Sequence, residues 1–211
     1  MKSTLPILVV IMEVENTNSI PPIKGLVLAG GESKRMGFDK GLMNYHGLVQ
    51  REYLYHLLKP HTAETYISCR PDQITESEIP IMEDKFEDIG PFGAILTAFK
   101  SDPESAWFVV ACDFPLLDQQ GIAQLLMERD VKGIATSFLD LHTLMPEPWI
   151  TILEPKIYPI LLEYHNKGKS SLRGVLVDYN STVIRASDSD ILLNANTPEE
   201  AERLKEIISK K

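Results

Sequence analysis

Short apolar runs alternate along the chain with glycine-containing or polar turns and with segments of helical periodicity. This alternation is typical of an α/β fold built on a mostly parallel sheet. The predicted strands cover residues 23–28, 64–69, 79–82, 107–112, 133–138 and 149–153. The predicted helices cover residues 49–58, 93–100, 122–126, 157–164 and 197–209. We therefore expect a single domain with a mostly parallel, mixed central sheet that is flanked by helices.

Two segments give the clearest signals. Residues 107–112 are continuously apolar, which predicts a central strand that is covered on both faces. Residues 197–200 read Thr-Pro-Glu-Glu, in which the threonine can cap a helix and Glu200 can reach back to it. The last helix is therefore expected to start at Thr197.

The composition supports one packed domain and excludes a disordered chain. The sequence has 211 residues, and 44% of them are hydrophobic, which is enough for a sizeable core. We place the domain at residues 23–211 and treat residues 1–22 as an N-terminal extension to which the sequence assigns no role. The apolar run at residues 5–12 is too short to cross a bilayer, so no membrane association is expected.

The charge and the cysteines narrow the choice of partner and compartment. A formal net charge of −9 argues against nucleic-acid binding, which needs a broad positive surface. A small anionic ligand remains compatible with a local cluster of cations. Cys69 and Cys112 show neither a disulfide framework nor zinc-ligand spacing. They favour a cytoplasmic protein with free thiols.

The first candidate for chemistry is the segment 28–40, directly after the first strand. Three glycines free its backbone to approach a ligand, and Lys34, Arg35 and Lys40 supply positive charge for phosphates. The spacing matches neither a Walker loop nor Gly-x-Gly-x-x-Gly, which disfavours P-loop hydrolases and dinucleotide dehydrogenases. An isolated glycine pair is more often a simple turn, but ligands of open α/β folds bind at this position. The segment therefore predicts a triphosphate cradle, which Asp39 can help to organise.

The second candidate is Asp113, at the carboxyl end of the predicted central strand. Alone, such an aspartate is as often a capping or turn residue as a functional one. Because the cradle follows a neighbouring parallel strand, however, the two are expected to open onto the same edge of the sheet. A carboxylate there can hold magnesium, which takes oxygen ligands and bridges to phosphate oxygens.

Several motifs together resemble those of a known family. Residues 28–40 read Leu-Ala-Gly-Gly-x-Ser-x-Arg-Met-Gly-x-Asp-Lys, and the similarity continues at residues 83–84, 88–93, 112–115 and 194–200. Over about residues 23–205 the chain is similar to the molybdenum cofactor guanylyltransferases, within the NTP-transferase superfamily. The resemblance implies a Rossmann-like nucleotidyltransferase fold. It also implies transfer of GMP from GTP to molybdopterin, with release of pyrophosphate and with magnesium or manganese as cofactor.

The resemblance implies roles for individual residues as well. Arg35 and Lys40 would contact phosphates and act in catalysis together with Asp113, the metal ligand. The implied nucleotide-binding residues are Leu28, Ala29, Gly30, Gly31, Arg35, Lys40, Asp84, Gly90 and Asp113. The implied acceptor-binding residues are Asn194, Asn196, Lys169 and Arg173. Transient contact with proteins that supply molybdopterin or mature molybdoenzymes is a further expectation.

The acceptor side depends on weaker signals. Residues 167–173 form a basic loop that runs into a helical turn, and a solvated connection between two helices is an equally good interpretation. Residues 145–149 replace the small apolar residues that are usual in the family before the late strand, which could reshape the acceptor pocket.

Two other functions stay open from the sequence. A cytidylyltransferase, or another nucleotidyltransferase with a different phosphorylated acceptor, would use the same cradle. A nucleotide-binding module without turnover is less favoured, because Lys40 and Asp113 are both present.

Overall fold

A computed structural model of the chain describes residues 20–31, 39–70, 73, 78–86 and 89–210. Within these residues the strands are β1 (Ile23–Leu28), β2 (Thr65–Cys69), β3 (Ile81–Glu83), β4 (Ala106–Ala111), β5 (Ala135–Asp140), β6 (Met145–Leu153) and β7 (Thr182–Ile184). The helices are α1 (Gln50–Leu58), α2 (Pro91–Ser101), α3 (Gln119–Met127), α4 (Tyr158–Asn166), α5 (Leu172–Asp178) and α6 (Pro198–Ile208).

The strands form one sheet in the order β3-β2-β1-β4-β6-β5-β7, with β4 at its centre. The neighbouring pairs are parallel except those that involve β6, which runs antiparallel to both β4 and β5. The prediction of a mostly parallel, mixed sheet with its central strand at about residues 107–112 is therefore confirmed.

The register between β1 and β4 decides where the candidate site lies. Leu28 at the end of β1 is opposite Ala111 at the end of β4. The chain continues from β1 towards β2 on one side, whereas β4 is followed by strands on the other side. A crevice at the carboxyl ends of two strands whose connections diverge in this way is the usual ligand position in open α/β sheets.

Alternate residues of β4 pack against different helices. Phe108 and Val110 belong to a buried cluster with α1 and α3, whereas Trp107 and Val109 belong to one with α2, α4 and α5. Five aromatic side chains on or beside these elements are at most 1% exposed: Phe92, Phe99, Trp107, Phe108 and Phe114. β4 is thus fixed from both faces, and so is the point at which Asp113 leaves it.

Strand β6 begins at Met145, four residues before the predicted start at Trp149. Pro146 and Pro148 argue against a strand, because proline cannot donate to a ladder. β4 pairs only with residues 150–153 of β6, so the segment with the two prolines has no partner strand on that side. The prolines are tolerated there, and β6 extends beyond the end of β4 towards the edge that carries Asp113.

The helices agree with the sequence where their signals are strong. The capping box that starts α6 is formed, since the side chains of Thr197 and Glu200 bond to each other's backbone amides. The helical turn expected at the end of the basic loop is α5, which starts at Leu172; its length of seven residues was not predicted, because they include Gly174 and are too few to show periodicity. In the part of the chain that the structure describes, we find no helix with the length and apolarity needed to cross a membrane.

Candidate active site

The candidate site begins where β1 ends. The Leu28 carbonyl accepts a hydrogen bond from the Cys112 amide (3.3 Å), and the Ala29 amide donates to the Ser68 carbonyl (2.8 Å). β1 is therefore held between β4 and β2 up to its last residue. The chain then leaves the sheet at residues 30–31, at the start of the predicted cradle.

Asp39 organises the far end of the cradle. Its Oδ1 accepts a hydrogen bond from the Gly41 amide (2.8 Å), and its Oδ2 accepts one from the Gln73 side chain (2.7 Å). The same Gln73 nitrogen also donates to the Ala29 carbonyl (3.3 Å). Gln73 thus ties the beginning of the cradle to its end and fixes the residue that precedes Lys40.

Three side chains from distant parts of the chain meet beside the cradle. The Lys40 ammonium donates to Asn196 Oδ1 at 2.7 Å and lies 3.8 Å from Asp113 Oδ2. The Asp113 carbonyl accepts a hydrogen bond from the Ala195 amide (2.8 Å), which fastens the segment around Asn196 to the end of the central strand. Lys40 and Asp113 therefore line one crevice, in agreement with the predicted positions of the cradle and the acidic residue.

The Asp113 carboxylate keeps one oxygen unused. Its Oδ1 is buried and has no hydrogen-bond partner among the described residues. Burial raises the pKa of Asp113, and the nearby Lys40 offsets part of this shift. A buried carboxylate oxygen without a partner, next to a crevice, fits a hard divalent cation.

A metal ion beside Asp113 would need ligands other than the side chains of the described residues. Among the residues that the structure describes, no group of three or more His, Cys, Asp and Glu side chains could hold a metal. Magnesium is commonly held by one or two carboxylates and completes its shell with phosphate oxygens and water. Asp113 as a lone carboxylate beside a phosphate cradle is compatible with that mode of binding.

The surroundings of Asp84 and Gly90 are explained by the local fold. Asp84 Oδ1 accepts hydrogen bonds from the Phe86 amide (3.1 Å) and the Thr97 hydroxyl (3.2 Å). Burial raises the pKa of Asp84, and these two hydrogen bonds lower it in part. Gly90 precedes α2 with a φ of 58°, a conformation that favours glycine. The predicted contacts of both residues with a nucleotide remain predictions.

A second group of charges surrounds Glu147 at the same edge. Glu147 lies in the part of β6 that extends beyond its pairing with β4, and the charge of Asp113 acts on its carboxyl group. Its Oε1 accepts a hydrogen bond from the Trp149 amide (3.0 Å), and its Oε2 accepts one from the Arg173 guanidinium (3.3 Å). The same guanidinium nitrogen lies 3.8 Å from Asp140 Oδ2. Arg173 is therefore held between two carboxylates.

The electrostatics of this group differ from those expected of a phosphate site. Burial raises the pKa of Glu147 to about 7, against the opposing effects of the Trp149 amide and Arg173. The positive charge of Arg173 faces two carboxyl groups, and its Nε is buried without a hydrogen-bond partner among the described residues. Arg173 holds these neighbours in place, and its predicted contact with the acceptor stays a prediction.

The other predicted acceptor residues have different surroundings. Asn194 lines a cavity of about 330 Å³ together with Asp140 and Glu147. The Lys169 ammonium lies 5.0 Å from the centre of the Tyr164 ring. The structure therefore brings Asn194 together with the Glu147 group, whereas Lys169 packs on an aromatic side chain.

Some residues of the site are missed by sequence reasoning, and one expected residue lies outside the described chain. Gln73 and Asp140 have no local signal that would single them out. Glu147 does have a local signal in the sequence. It stands between two prolines at the start of an apolar strand, where burying a carboxylate is costly and therefore points to a specific role. Arg35 belongs to residues 32–38, which lie outside the described residues.

Known sequences resemble this chain over most of its length. The family model for the MobA-like NTP transferase domain matches residues 25–183. A molybdenum cofactor biosynthesis bifunctional protein from Synechocystis sp. is 30% identical over 85% of this chain and 52% of its own length. This chain thus spans about half of that protein. A molybdenum cofactor guanylyltransferase from Pseudomonas fluorescens is 29% identical over 85% of this chain and 92% of its own length.

A solved structure resembles the whole architecture. The molybdopterin-guanine dinucleotide biosynthesis protein A from Archaeoglobus fulgidus superposes with a TM-score of 0.70, over 89% of this chain and 100% of that one. The two sequences are 20% identical, so this similarity shows a shared fold. The expected Rossmann-like nucleotidyltransferase fold is confirmed.

Proposed function

Because this chain belongs to the MobA-like NTP transferase domain family, we propose that it transfers GMP from GTP to molybdopterin. The observation that carries the proposal is the crevice in which Lys40 meets Asn196 and faces Asp113, beside the cradle. Nucleotidyl transfer requires from the protein a cation for the phosphates and a carboxylate for a metal ion. The Pseudomonas relative named for this activity supports the choice of substrates.

The reaction makes one bond and breaks another at the α-phosphorus of GTP. An oxygen of the molybdopterin phosphate forms the new bond to phosphorus. The bond from the α-phosphorus to the oxygen that bridges to the β-phosphorus breaks, and pyrophosphate leaves with the electron pair. Since the attacking oxygen is already ionised, the protein needs no general base. Its contribution is to position two anions and to stabilise the charge that develops.

We propose that Lys40 stabilises the leaving pyrophosphate. Its ammonium carries three donors, so its present bond to Asn196 can be exchanged for bonds to phosphate oxygens. The hydrogen bonds of Asp39 to Gly41 and Gln73 hold the backbone that carries Lys40. We assign Arg35 a second phosphate contact on the basis of its motif alone.

Asp113 would hold the metal, which we propose to be magnesium, with manganese as a substitute. The ligand atom would be Oδ1, the buried oxygen that lacks a partner among the described residues. When bound, the ion supplies positive charge to the phosphate oxygens and restricts their orientation.

The remaining contacts of the nucleotide are proposed from the motifs. Residues 28–31 would border it through their backbone, and Asp84 and Gly90 would lie near the nucleoside. The Ala29 amide is already used by the Ser68 carbonyl, which leaves the glycines after it as the donors for phosphate.

The test is transfer of label from α-phosphate-labelled GTP to molybdopterin in the presence of magnesium. We expect labelled dinucleotide and an equal amount of pyrophosphate, and neither without molybdopterin. Thermal stabilisation by GTP, CTP, UTP and ATP gives the base preference, because a ligand of the folded state raises its stability by mass action. Preference for CTP would favour a cytidylyltransferase, and binding without turnover would favour a nucleotide-binding module.

A further inference from the structure

The cavity of about 330 Å³ at the carboxyl edge has walls of two kinds. Asp140, Glu147 and Asn194 are part of its polar wall, and Leu192, Leu193 and Leu204 are apolar lining residues. Its volume is at the lower end of the range for small-molecule sites, which combine apolar walls with a few polar groups that fix orientation. Such a cavity suits a flat heterocycle with polar edges.

The cavity adjoins the crevice where the reaction is proposed to occur. Asn194 lines the cavity, and Asn196, two residues further on, accepts a hydrogen bond from Lys40. Glu147 lies close enough to Asp113 for the charge of Asp113 to act on its carboxyl group. A ligand in the cavity would therefore have its nearer end beside the phosphates.

Glu147 is a fixed carboxyl group with spare acceptor positions. Its side chain is 8% exposed, against 17% for Asp140. The Trp149 amide bonds to one of its oxygens and Arg173 to the other. Because each carboxylate oxygen accepts two hydrogen bonds, each keeps one position for a ligand.

The cavity is lined by three carboxylates, Asp140, Glu147 and Glu200, against a single arginine, Arg203, which is exposed. This excess of negative charge argues against an anionic ligand in it. Arg173 lies between the carboxylates of Asp140 and Glu147. Glu200, a further lining residue, accepts hydrogen bonds from the Asn196 and Thr197 amides at the start of α6. The polar wall thus offers several carboxylate oxygens, and the ligand that fits it presents N–H donors side by side.

We propose that Glu147 determines acceptor specificity by binding the amino-pyrimidinone edge of the pterin ring in this cavity. The 2-amino group and the adjacent ring N–H of a pterin form a pair of parallel donors that matches the two oxygens of a carboxylate. Arg173 and Asp140 are positioning residues, which act by holding the Glu147 carboxyl in place. This inference depends on the proposed function, because it takes the acceptor to be a pterin.

The test is equilibrium binding of two fluorescent probes at pH 7, 6-hydroxymethylpterin and 6-hydroxymethyllumazine. The second probe carries an oxygen in place of the 2-amino group. We expect the unsubstituted protein to bind the pterin at least about tenfold more tightly, and Glu147→Gln to reduce this preference to within about twofold. Glu163→Gln removes an exposed carboxylate from an ion pair with Lys167 and is the matched control, which keeps the preference.

Steady-state kinetics provide the second readout. Glu147→Gln is expected to raise the KM for molybdopterin about tenfold and to leave the KM for GTP within about twofold, while thermal stabilisation by GTP shows that the variant is folded. Asp140→Asn is expected to act in the same direction with a smaller effect.

Three results would overturn the inference. The first is that the unsubstituted protein binds both probes equally well, and the second is that Glu147→Gln keeps the preference for the pterin probe. The third is that Glu147→Gln raises the KM for GTP alone, which would mean that the cavity binds guanine. Probe binding needs no turnover, so it separates this inference from the proposed function. Absence of GMP transfer by the unsubstituted protein would contradict the function even if the probe preference were present.

Discussion

Two ion pairs at opposite ends of the strands show how a structural contact differs from a candidate site. Arg129 and Glu154 lie at the end of the sheet where β6 ends. They form two hydrogen bonds of 2.6 and 2.9 Å, and their side chains are 8% and 1% exposed. Lys40 and Asp113, at the other end, are 3.8 Å apart, and each is 20% exposed. One Asp113 oxygen is buried without a partner among the described residues.

The difference lies in how much hydrogen-bonding capacity each pair retains. The guanidinium of Arg129 satisfies both oxygens of Glu154 and also donates to the Pro21 carbonyl (3.1 Å), which ties the chain before β1 to the sheet. The Lys40 pair leaves an acceptor unused in a place where water is largely excluded. Buried polar atoms without partners are rare in folded proteins and are more common where a ligand binds.

The largest expected effect is the loss of turnover in Asp113→Asn. The amide keeps the shape of the side chain but removes the charge that would hold the metal, so kcat is expected to fall by about a thousandfold or more. Pyrophosphate release measures this loss. The melting temperature is expected to stay equal or rise, because the substitution removes a buried charge that is only partly compensated. Magnesium-dependent turnover within tenfold of the original would contradict the assignment.

Glu154→Gln is expected to lower the stability of the protein and to leave its turnover almost unchanged, which is the reverse of Asp113→Asn. Breaking a fully buried ion pair leaves Arg129 without its charge partner, and the free energy of unfolding is expected to fall by about 3 kcal/mol. Urea denaturation should show a lower midpoint with an unchanged slope. The kcat of the folded protein at low temperature should stay within about twofold. A loss of activity without a loss of stability would invalidate the comparison between the two pairs.

A smaller effect is expected in the pH dependence of stability, through Glu147. Burial raises the pKa of Glu147 from 4.5 to about 7, so between these values the folded protein binds a proton that the unfolded chain has released. The free energy of unfolding therefore falls as the pH rises through this range. Arg173, Asp113 and Asp140 all act on this carboxyl. Urea denaturation from pH 4.5 to 8 should give a shallower fall for Glu147→Gln, and parallel curves would show that Glu147 does not titrate as described.

The parts of the fold that could be predicted are those with local signals. The bounds of β1 are as predicted, and those of β4 differ from the prediction by one residue. The prediction of β4 succeeded because a continuous apolar run indicates a strand that is buried on both faces. The capping box at Thr197 is formed by neighbours in the sequence. The insertion of antiparallel β6 between β4 and β5 could not be predicted, because periodicity carries no information about which strands pair.

The candidate site likewise combines contacts that the sequence predicts with contacts that it does not. The meeting of Lys40 and Asp113 followed from the rule that the ends of neighbouring parallel strands share an edge. The contact of Arg173 with Glu147 did not, because it depends on the register of β6 and on the position of α5. A basic loop that looked suited to phosphate thus contains an arginine engaged by two carboxylates.

The sequence by itself determined the α/β architecture, the cradle after the first strand and the two charged residues beside it, since each of these depends on burial periodicity or on residues close together in the chain. Only the tertiary structure decided that Glu147 lies near Asp113 and that Asp140 and Arg173 surround it. These contacts join segments far apart in the sequence, and such pairings are selected by the packing of the whole sheet and its helices rather than by any local preference.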